Sequence, residues 1–320
     1  MRILVTTTSF QDTKGPHHDV LAASGLEIVN ARGPLTEAQL LELFAPGTAG
    51  FDGLLNGDDA ITAKVIDAAL PRLKVIAKYG IGLDSIDVAY ATTRSLPVLF
   101  TPGVNHTTVA EHAFGLMVAL AKHFWLHLQS TKAGQWKRIT GGELAGKRLA
   151  LLGFGRIGKE IAKRAAAFDM ELVGYDIAWD DAAASTYGIR RAASLDDAVD
   201  GADVIVLAMN LTSDNKGWLG RSRIATLKQG ALVINISRGG LVDERAIAEA
   251  CLSKHLGGYA TDVLEKEPQV ANHPFLGIDN ILVTPHVASR TSESVERQGL
   301  RAAQNIVNFL AGNPDFIRAN

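Results

Sequence analysis

The sequence predicts an α/β protein built from two doubly wound parallel-sheet domains, and three observations carry that expectation. Short β-rich runs alternate with helical patterns along the whole chain, the order that βαβ units require. A glycine-rich turn at 153–158 divides the runs into an earlier and a later set. The length of 320 residues suits about two domains of ordinary size.

The first set reads RILVTT (2–7), LEIVN (26–30), GLLN (53–56), KVIAKYG (74–80) and PVLF (97–100). After the breaker Thr101-Pro102-Gly103, residues 107–128 form one long helical pattern, expected to be the boundary between domains. The second set reads RLALLG, ELVGYD, DVIVLAM, ALVINIS, GGYATDV and ILVTP. A further helical pattern at 291–311 can return to the first domain. The expected organisation is therefore a discontinuous domain, 1–100 plus 290–320, with a second domain, 101–289, inserted between. The cleft between them is the natural ligand site.

Residues 150–176 are the most informative stretch. An apolar run leads into Gly153-x-Gly155-x-x-Gly158, then a helical segment, a second apolar run and Asp176. Gly153 permits a tight turn out of the strand, Gly155 lets backbone approach a pyrophosphate, and Gly158 allows close helix-to-sheet packing. N–H groups at the helix start then face phosphate oxygens. Asp176 stands where a carboxylate accepts from an adenosine ribose. A dinucleotide-binding unit is expected here, with preference for NAD because Ile177, Ala178 and Trp179 bring no arginine to meet a 2′-phosphate.

Composition excludes several classes. The hydrophobic share of 47% and charged share of 21% are ordinary for a globular chain. A formal net charge of -2 without a basic run gives no electrostatic footprint for nucleic acid or an anionic membrane. The single cysteine, Cys251, excludes an internal disulfide, and no Cys/His cluster has zinc spacing, so no metal is expected. The start, MRILVTTTSF, reads as a strand rather than a signal peptide, no apolar stretch is long enough for a bilayer, and a cytoplasmic setting is expected.

Three constellations end later strands. Arg238 follows ALVINIS beside Gly239 and Gly240, with Asp243 placed to cap the next helix. Asp262, Glu265 and Glu267 follow GGYATDV in an acidic turn closed by Pro268, and His286 follows ILVTP. Doubly wound sheets place ligands at such strand ends. Reduction of a 2-oxo acid by a nicotinamide hydride needs a proton donor, a rigid cationic fork for the carboxylate and carbonyl, and a carboxylate to hold the imidazole. His286, Arg238 and Glu267 supply one of each.

With these motifs in order, the chain resembles the D-isomer-specific 2-hydroxyacid dehydrogenase family over essentially its whole length. The stretches that carry the likeness are KYGIGLDSID (78–87), VLFTPGVNHTTVAEH (98–112), LLGFGRIGKEIA (151–162), NISRGGLVDERAI (235–247), ATDVLEKEP (260–268) and TPHVASRTSES (284–294). The resemblance implies a flavodoxin-like substrate domain and a Rossmann NAD-binding domain around an interdomain active-site cleft. It implies Arg238, Glu267 and His286 as the catalytic triad, and Ile81 and Gly82 as the backbone cradle of the substrate carboxylate. It also implies Val109, Arg156, Ile157, Asp176, Ser237 and Asp262, with the three motif glycines, as cofactor contacts, and a homodimer formed through an arm carrying Trp125 and Trp136.

The chain departs from the family at Ala208-Met209-Asn210-Leu211-Thr212, where a His-x-Pro-Leu-Thr segment is frequent, and at Phe100-Thr101-Pro102-Gly103. No serine-feedback module is expected beyond residue 320. The expected activity is NAD-dependent interconversion of a small D-2-hydroxy acid and its 2-oxo acid, glyoxylate or hydroxypyruvate in type. The alternatives are a D-3-phosphoglycerate dehydrogenase and, from another class, an NAD(H)-sensing corepressor-like binding protein. The loop Asn56-Gly57-Asp58-Asp59 offers no cation to a substrate phosphate unless Lys78 or Arg290 reaches it, and Asp58 and Asp59 can instead cap the helix that follows.

Overall fold

Strands that alternate with helices must be joined by crossovers, and both sheets of the computed structural model are parallel throughout. The structure describes residues 1–268 and 271–320. It forms two units, Met1–Asn105 with Arg290–Asn320, and His106–Ser289.

The first unit begins β1 (Arg2–Val5), α1 (Thr8–Asp12), α2 (Pro16–Ala23), β2 (Glu27–Asn30), α3 (Glu37–Leu43), β3 (Gly53–Asn56), α4 (Ala63–Ala69), β4 (Val75–Lys78), α5 (Val88–Thr93) and β5 (Val98–Leu99). Its strand order is β2-β1-β3-β4-β5. Alternate residues of β1 serve opposite faces: Leu4 joins Leu54, Ile76 and Val98 on one side, and Ile3 and Val5 join Leu55, Val75 and Ala77 on the other. Burial on both faces explains why these strands read as continuous apolar runs.

The second unit comprises α6 (His106–Ala121), α7 (Phe124–Lys132), β6 (Arg148–Leu152), α8 (Arg156–Ala167), β7 (Glu171–Tyr175), α9 (Asp181–Tyr187), β8 (Arg190–Arg191), α10 (Leu195–Val199), β9 (Val204–Leu207), α11 (Arg221–Ile224), β10 (Ala231–Asn235), α12 (Glu244–Leu252), β11 (Leu256–Thr261) and β12 (Ile281–Val283). The strand order is β12-β11-β10-β9-β6-β7-β8, so the order reverses between β6 and β9. The chain then returns to the first unit as α13 (Ser292–Ala311), capped by Thr291, whose Ala302, Ala303 and Ile306 cover the β1 face that carries Ile3 and Val5.

Two elements depart from the sequence expectation. The single helix expected over 107–128 is two, because His123 takes a left-handed conformation with φ 52° between α6 and α7. The Ala121 carbonyl that ends α6 accepts the N–H of Gly142 at 2.8 Å, a satisfaction of an orphan helix carbonyl by a loop distant in sequence. No proline or glycine marks that break. The strand β8 was also not expected, since Arg190-Arg191 has no apolar character; it forms by edge pairing with Val173 and Gly174 of β7.

Candidate active site and cofactor cradle

The glycine turn is built by close approaches of backbone. Gly153, at φ 107°, sits where an added Cβ would lie 2.5 Å from Ala208 C and Met209 N, and a Cβ on Gly158 would run into the Gly153 carbonyl. A Cβ at Gly155 would meet nothing within 4 Å. Gly155 is the N-cap of α8 and gives it no side-chain cap, so no capping side chain occupies the first-turn N–H groups. That combination fits a pyrophosphate and the dinucleotide NAD. Arg156 is exposed at the first turn, Ile157 is half-buried, and Val109 lies at 6% exposure within the core around α6.

Asp176 accepts the N–H of Phe154 at 2.6 Å and that of Ala178 at 2.8 Å, which ties the end of β7 to the glycine turn. Beside it lies a pocket of about 510 Å³ lined by Tyr175, Asp176, Ile177, Arg191, Ala192 and Ala193. The sequence showed the acid but not the arginine, which arrives on β8.

Three neighbouring parallel strands deliver the remaining chemistry. Arg238 lies beyond β10, Glu267 beyond β11 and His286 beyond β12, all at carboxyl ends of the same sheet. His286 Nδ1 stands 2.8 Å from Glu267 Oε2, and the other oxygen of Glu267 accepts the Leu264 N–H at 2.9 Å. The carboxylate is thus held from both sides. His286 itself has φ 53°, rare for a residue with a side chain and frequent at functional sites.

Asp262 explains how that backbone is maintained. It is 2% exposed; Oδ1 accepts from the Thr284 hydroxyl at 2.6 Å and the Val287 N–H at 2.9 Å, and Oδ2 accepts the Ala288 N–H at 2.8 Å. The His286 N–H donates to the Asp262 carbonyl at 3.0 Å. Three backbone links across residues 286–288 tie the histidine loop to the end of β11. His112 of α6 reaches the same cluster, with Nε2 2.9 Å from Thr284 Oγ1. Because the Thr284 proton goes to Asp262, His112 is the donor in that bond. It lies within a motif quoted above but was not singled out, for nothing local distinguishes it from a surface histidine.

The arginine loop is fixed against the acidic loop by Gly239. A Cβ there would overlap Leu264 C and Glu265 N, so only glycine lets the two backbones meet. Asn235, fully buried, donates to the Arg238 carbonyl at 2.9 Å and accepts the Ser237 N–H at 3.1 Å. Ser237 donates its hydroxyl to the Met209 carbonyl, joining this loop to the end of β9. Arg238 Nη1 donates to the Ser237 carbonyl at 2.7 Å. Asp243 caps α12 through the N–H groups of Arg245 and Ala246. Glu265, second of the three acids in that turn, donates its N–H to Glu244 at 2.8 Å.

In the first unit, Ile81 is exposed and Gly82 half-buried in the loop beyond β4. Gly80, at φ 134°, is pinned by three bonds to Thr101, its N–H donating to Oγ1 at 3.0 Å and its carbonyl accepting the Thr101 N–H at 3.0 Å and the Thr101 hydroxyl at 3.1 Å. The capping reading of Asp58 and Asp59 is corrected here: Thr62 caps α4. Asp59 is fully buried and accepts from the Thr6 hydroxyl at 2.5 Å, the Leu35 N–H at 2.6 Å and the Gly57 N–H at 3.0 Å. Lys78 is 3% exposed, its ammonium donating to the Gly57 carbonyl at 2.5 Å and to Asp58 at 2.7 Å. Both acids therefore build the loop, and the lysine is spent on it.

Among the described residues no group of His, Cys, Asp and Glu is placed to hold a metal ion, and no helix is long and apolar enough to cross a membrane.

Residues 114–288 match the family model described as D-isomer specific 2-hydroxyacid dehydrogenase, NAD binding domain. A hydroxypyruvate reductase from Thermotoga maritima is 39% identical over 254 residues, which is 78% of this chain and 81% of that protein. A D-3-phosphoglycerate dehydrogenase from Archaeoglobus fulgidus is 35% identical over 298 residues, 92% of this chain but 55% of its own length. The chain thus spans about half the length of the phosphoglycerate dehydrogenases it matches. In three dimensions it superposes on the TT0316 protein from Thermus thermophilus with a TM-score of 0.89 at 34% identity, covering 100% of both chains. A glycine cradle on β6, three strand ends bearing arginine, glutamate and histidine, and agreement across more than half the chain lead to one assignment: the chain belongs to the D-isomer specific 2-hydroxyacid dehydrogenase family.

Proposed function

We propose that the protein is an NAD-dependent oxidoreductase that interconverts a small D-2-hydroxy acid and the matching 2-oxo acid. The observation that carries this reading is the 2.8 Å contact between His286 Nδ1 and Glu267, a histidine oriented by a carboxylate at a strand end. When bound, NAD supplies or accepts the hydride at the substrate's C2. His286 donates a proton to the substrate oxygen during reduction and withdraws it during oxidation. Glu267 holds Nδ1, which assigns the exchanging proton to Nε2. Arg238 clamps the carboxylate and polarises the carbonyl, and the backbone N–H groups of Ile81 and Gly82 receive the carboxylate in the discontinuous domain. Ser237, Val109, Arg156 and Ile157 complete the cofactor side, where Asp262 holds the histidine loop in place.

Glu267→Gln keeps the size of the side chain but removes the charge that favours imidazolium. The expected result is that 2-oxo acid reduction fades at a lower pH than in the parent. A pH-rate profile of kcat/KM measures this, and an unchanged profile removes Glu267 from the mechanism.

The substrate is a small unphosphorylated acid of the glyoxylate or hydroxypyruvate type. Its support is the loop beyond β3, where Asp59 is buried and Lys78 is committed to Asp58, which leaves Arg290, near Tyr79 and Asp12, as the cation a phosphate would have to recruit. Steady-state assays in both directions test it. Reduction of glyoxylate or hydroxypyruvate is expected to exceed 3-phosphoglycerate oxidation in kcat/KM. Efficient 3-phosphoglycerate oxidation with negligible reduction of the other two supports the phosphoglycerate reading instead. Binding of NADH without turnover of any of them supports a corepressor-like sensor.

The reading includes a homodimer, supported by Phe124, Leu128 and Trp136 at 49%, 59% and 81% exposure on and beyond α7, apolar surface that a second copy would cover. It also includes a cytoplasmic setting, supported by a lone buried cysteine, Cys251, whose thiol burial pushes up to about 12.

A further inference from the structure

The pocket beside Asp176 is not purely acidic. Arg191 lines it together with Asp176 and Ile177, and its guanidinium sits 5.8 Å from the centre of the Trp179 ring. That ring is itself fixed, stacked on Phe154 at 4.7 Å and lying over Gly174, where a Cβ would come within 3.3 Å of it. The neighbouring Arg190 has a carboxylate partner, Asp197, at 3.8 Å, whereas the Arg191 guanidinium has none among the described residues. The β7–β8 register pairs Gly174 with Arg191, and the Ala192 N–H donates to the Gly174 carbonyl at 2.8 Å. The arginine is therefore built into the sheet edge two residues from the ribose-binding acid. Asp176, for its part, already accepts two backbone N–H bonds, which offset part of its charge.

We propose that Arg191 forms a subsite for the 2′-phosphate of a phosphorylated adenine dinucleotide, so that the protein binds NADP(H) as well as NAD(H), with NAD(H) preferred. The proposal rests on the nucleotide reading of this site and deepens it. One carboxylate beside a ribose 2′-hydroxyl rejects a phosphate by like-charge repulsion, but one carboxylate with one guanidinium leaves the locality near neutral. An arginine fork offers charge-assisted hydrogen bonds to phosphate oxygens, and the flat face of Trp179 holds the fork in place. Ile177, 92% exposed, leaves the mouth of the pocket open to an added group.

Fluorescence or calorimetric titrations with NADH and with NADPH, in the parent, Arg191→Ala and Arg191→Lys, test the assignment without requiring a substrate. The parent is expected to bind both, NADPH more weakly. In Arg191→Ala the ratio of NADPH to NADH affinity falls about tenfold, the size of one charge-assisted contact at a partly open site. Arg191→Lys restores part of that ratio, and added salt erodes the parent's NADPH affinity more than its NADH affinity. An unchanged ratio in Arg191→Ala overturns the proposal, as does a parent that binds NADH but not NADPH. A parent that binds neither overturns the nucleotide reading itself, an outcome distinct from the other two.

Discussion

Substitution of His286 by glutamine is expected to lower kcat for 2-oxo acid reduction by about 10²–10⁴, the usual worth of a positioned general acid, while NADH still binds. Glutamine can fill the site and offer an amide hydrogen bond, but it has no proton to give near neutral pH. The cofactor cradle lies on β6 and α8, whereas His286 follows β12 at the far edge of the sheet, so a titration with NADH reports folding and cofactor binding independently of the chemistry. Single-turnover reduction measured beside that titration distinguishes a lost proton donor from a lost cofactor site. A variant that turns over at the parent rate removes His286 from the reaction. Because the residue holds φ 53°, the test is made with glutamine rather than a β-branched residue, which tolerates that conformation less well.

The second large effect is expected at Gly239, which touches neither cofactor nor substrate in the proposed mechanism. A methyl group there overlaps Leu264 C and Glu265 N, both backbone atoms that cannot swing aside as a side chain can. The Arg238 loop and the Glu267 loop must separate in Gly239→Ala. Overpacking of this kind costs about 1–3 kcal/mol, and more where backbone opposes it. Misplacement of the catalytic groups by about 1 Å costs a further ~10²-fold in rate. Denaturant unfolding and kcat/KM measured together check this, and a variant with parental stability and rate shows that the loops part without consequence. Gly240 is the control: a Cβ there would meet only the Leu211 side chain, at 3.0 Å, a flexible neighbour that can shift.

The fold was legible because its signals are local. Apolar runs such as those at 148–152 and 204–207 are buried on both faces, so each reads as a strand without knowledge of its partners. Arg238 and His286 were legible for a related reason: each directly follows such a run, Glu267 comes a few residues after one in the acidic turn, and parallel strands of one sheet bring all their carboxyl ends to one edge. What the sequence could not show depends on partners distant along the chain. The break between α6 and α7 carries no proline or glycine and is completed by Gly142, some twenty residues later. The strand Arg190–Arg191 exists only because β7 offers it an edge, and its arginine thereby enters the pocket of Asp176. A pair of charged residues after Gly188, which ends α9 in a left-handed conformation, was the one available hint.

The roles of the acids show the same division most clearly. Composition and spacing placed Asp58, Asp59, Asp176, Asp262 and Glu267 at strand ends, where a carboxylate can bind a ligand, cap a helix or brace a loop. Their sequence neighbours do not distinguish these uses, because a carboxylate's role is set by which donors surround it. Asp59 and Asp262 are buried among hydrogen-bond donors and brace their loops, Asp58 holds Lys78, and Glu267 faces His286. The sequence by itself determined the order of strands and helices, the glycine cradle and the types of side chain delivered to the sheet's edge, since these follow from periodicity and from chain connectivity. Only the tertiary structure decided which carboxylate meets the histidine, which lysine is already paired and which arginine shares a pocket with Asp176, because each of these is a matter of a few ångströms between segments that the sequence keeps about twenty residues apart.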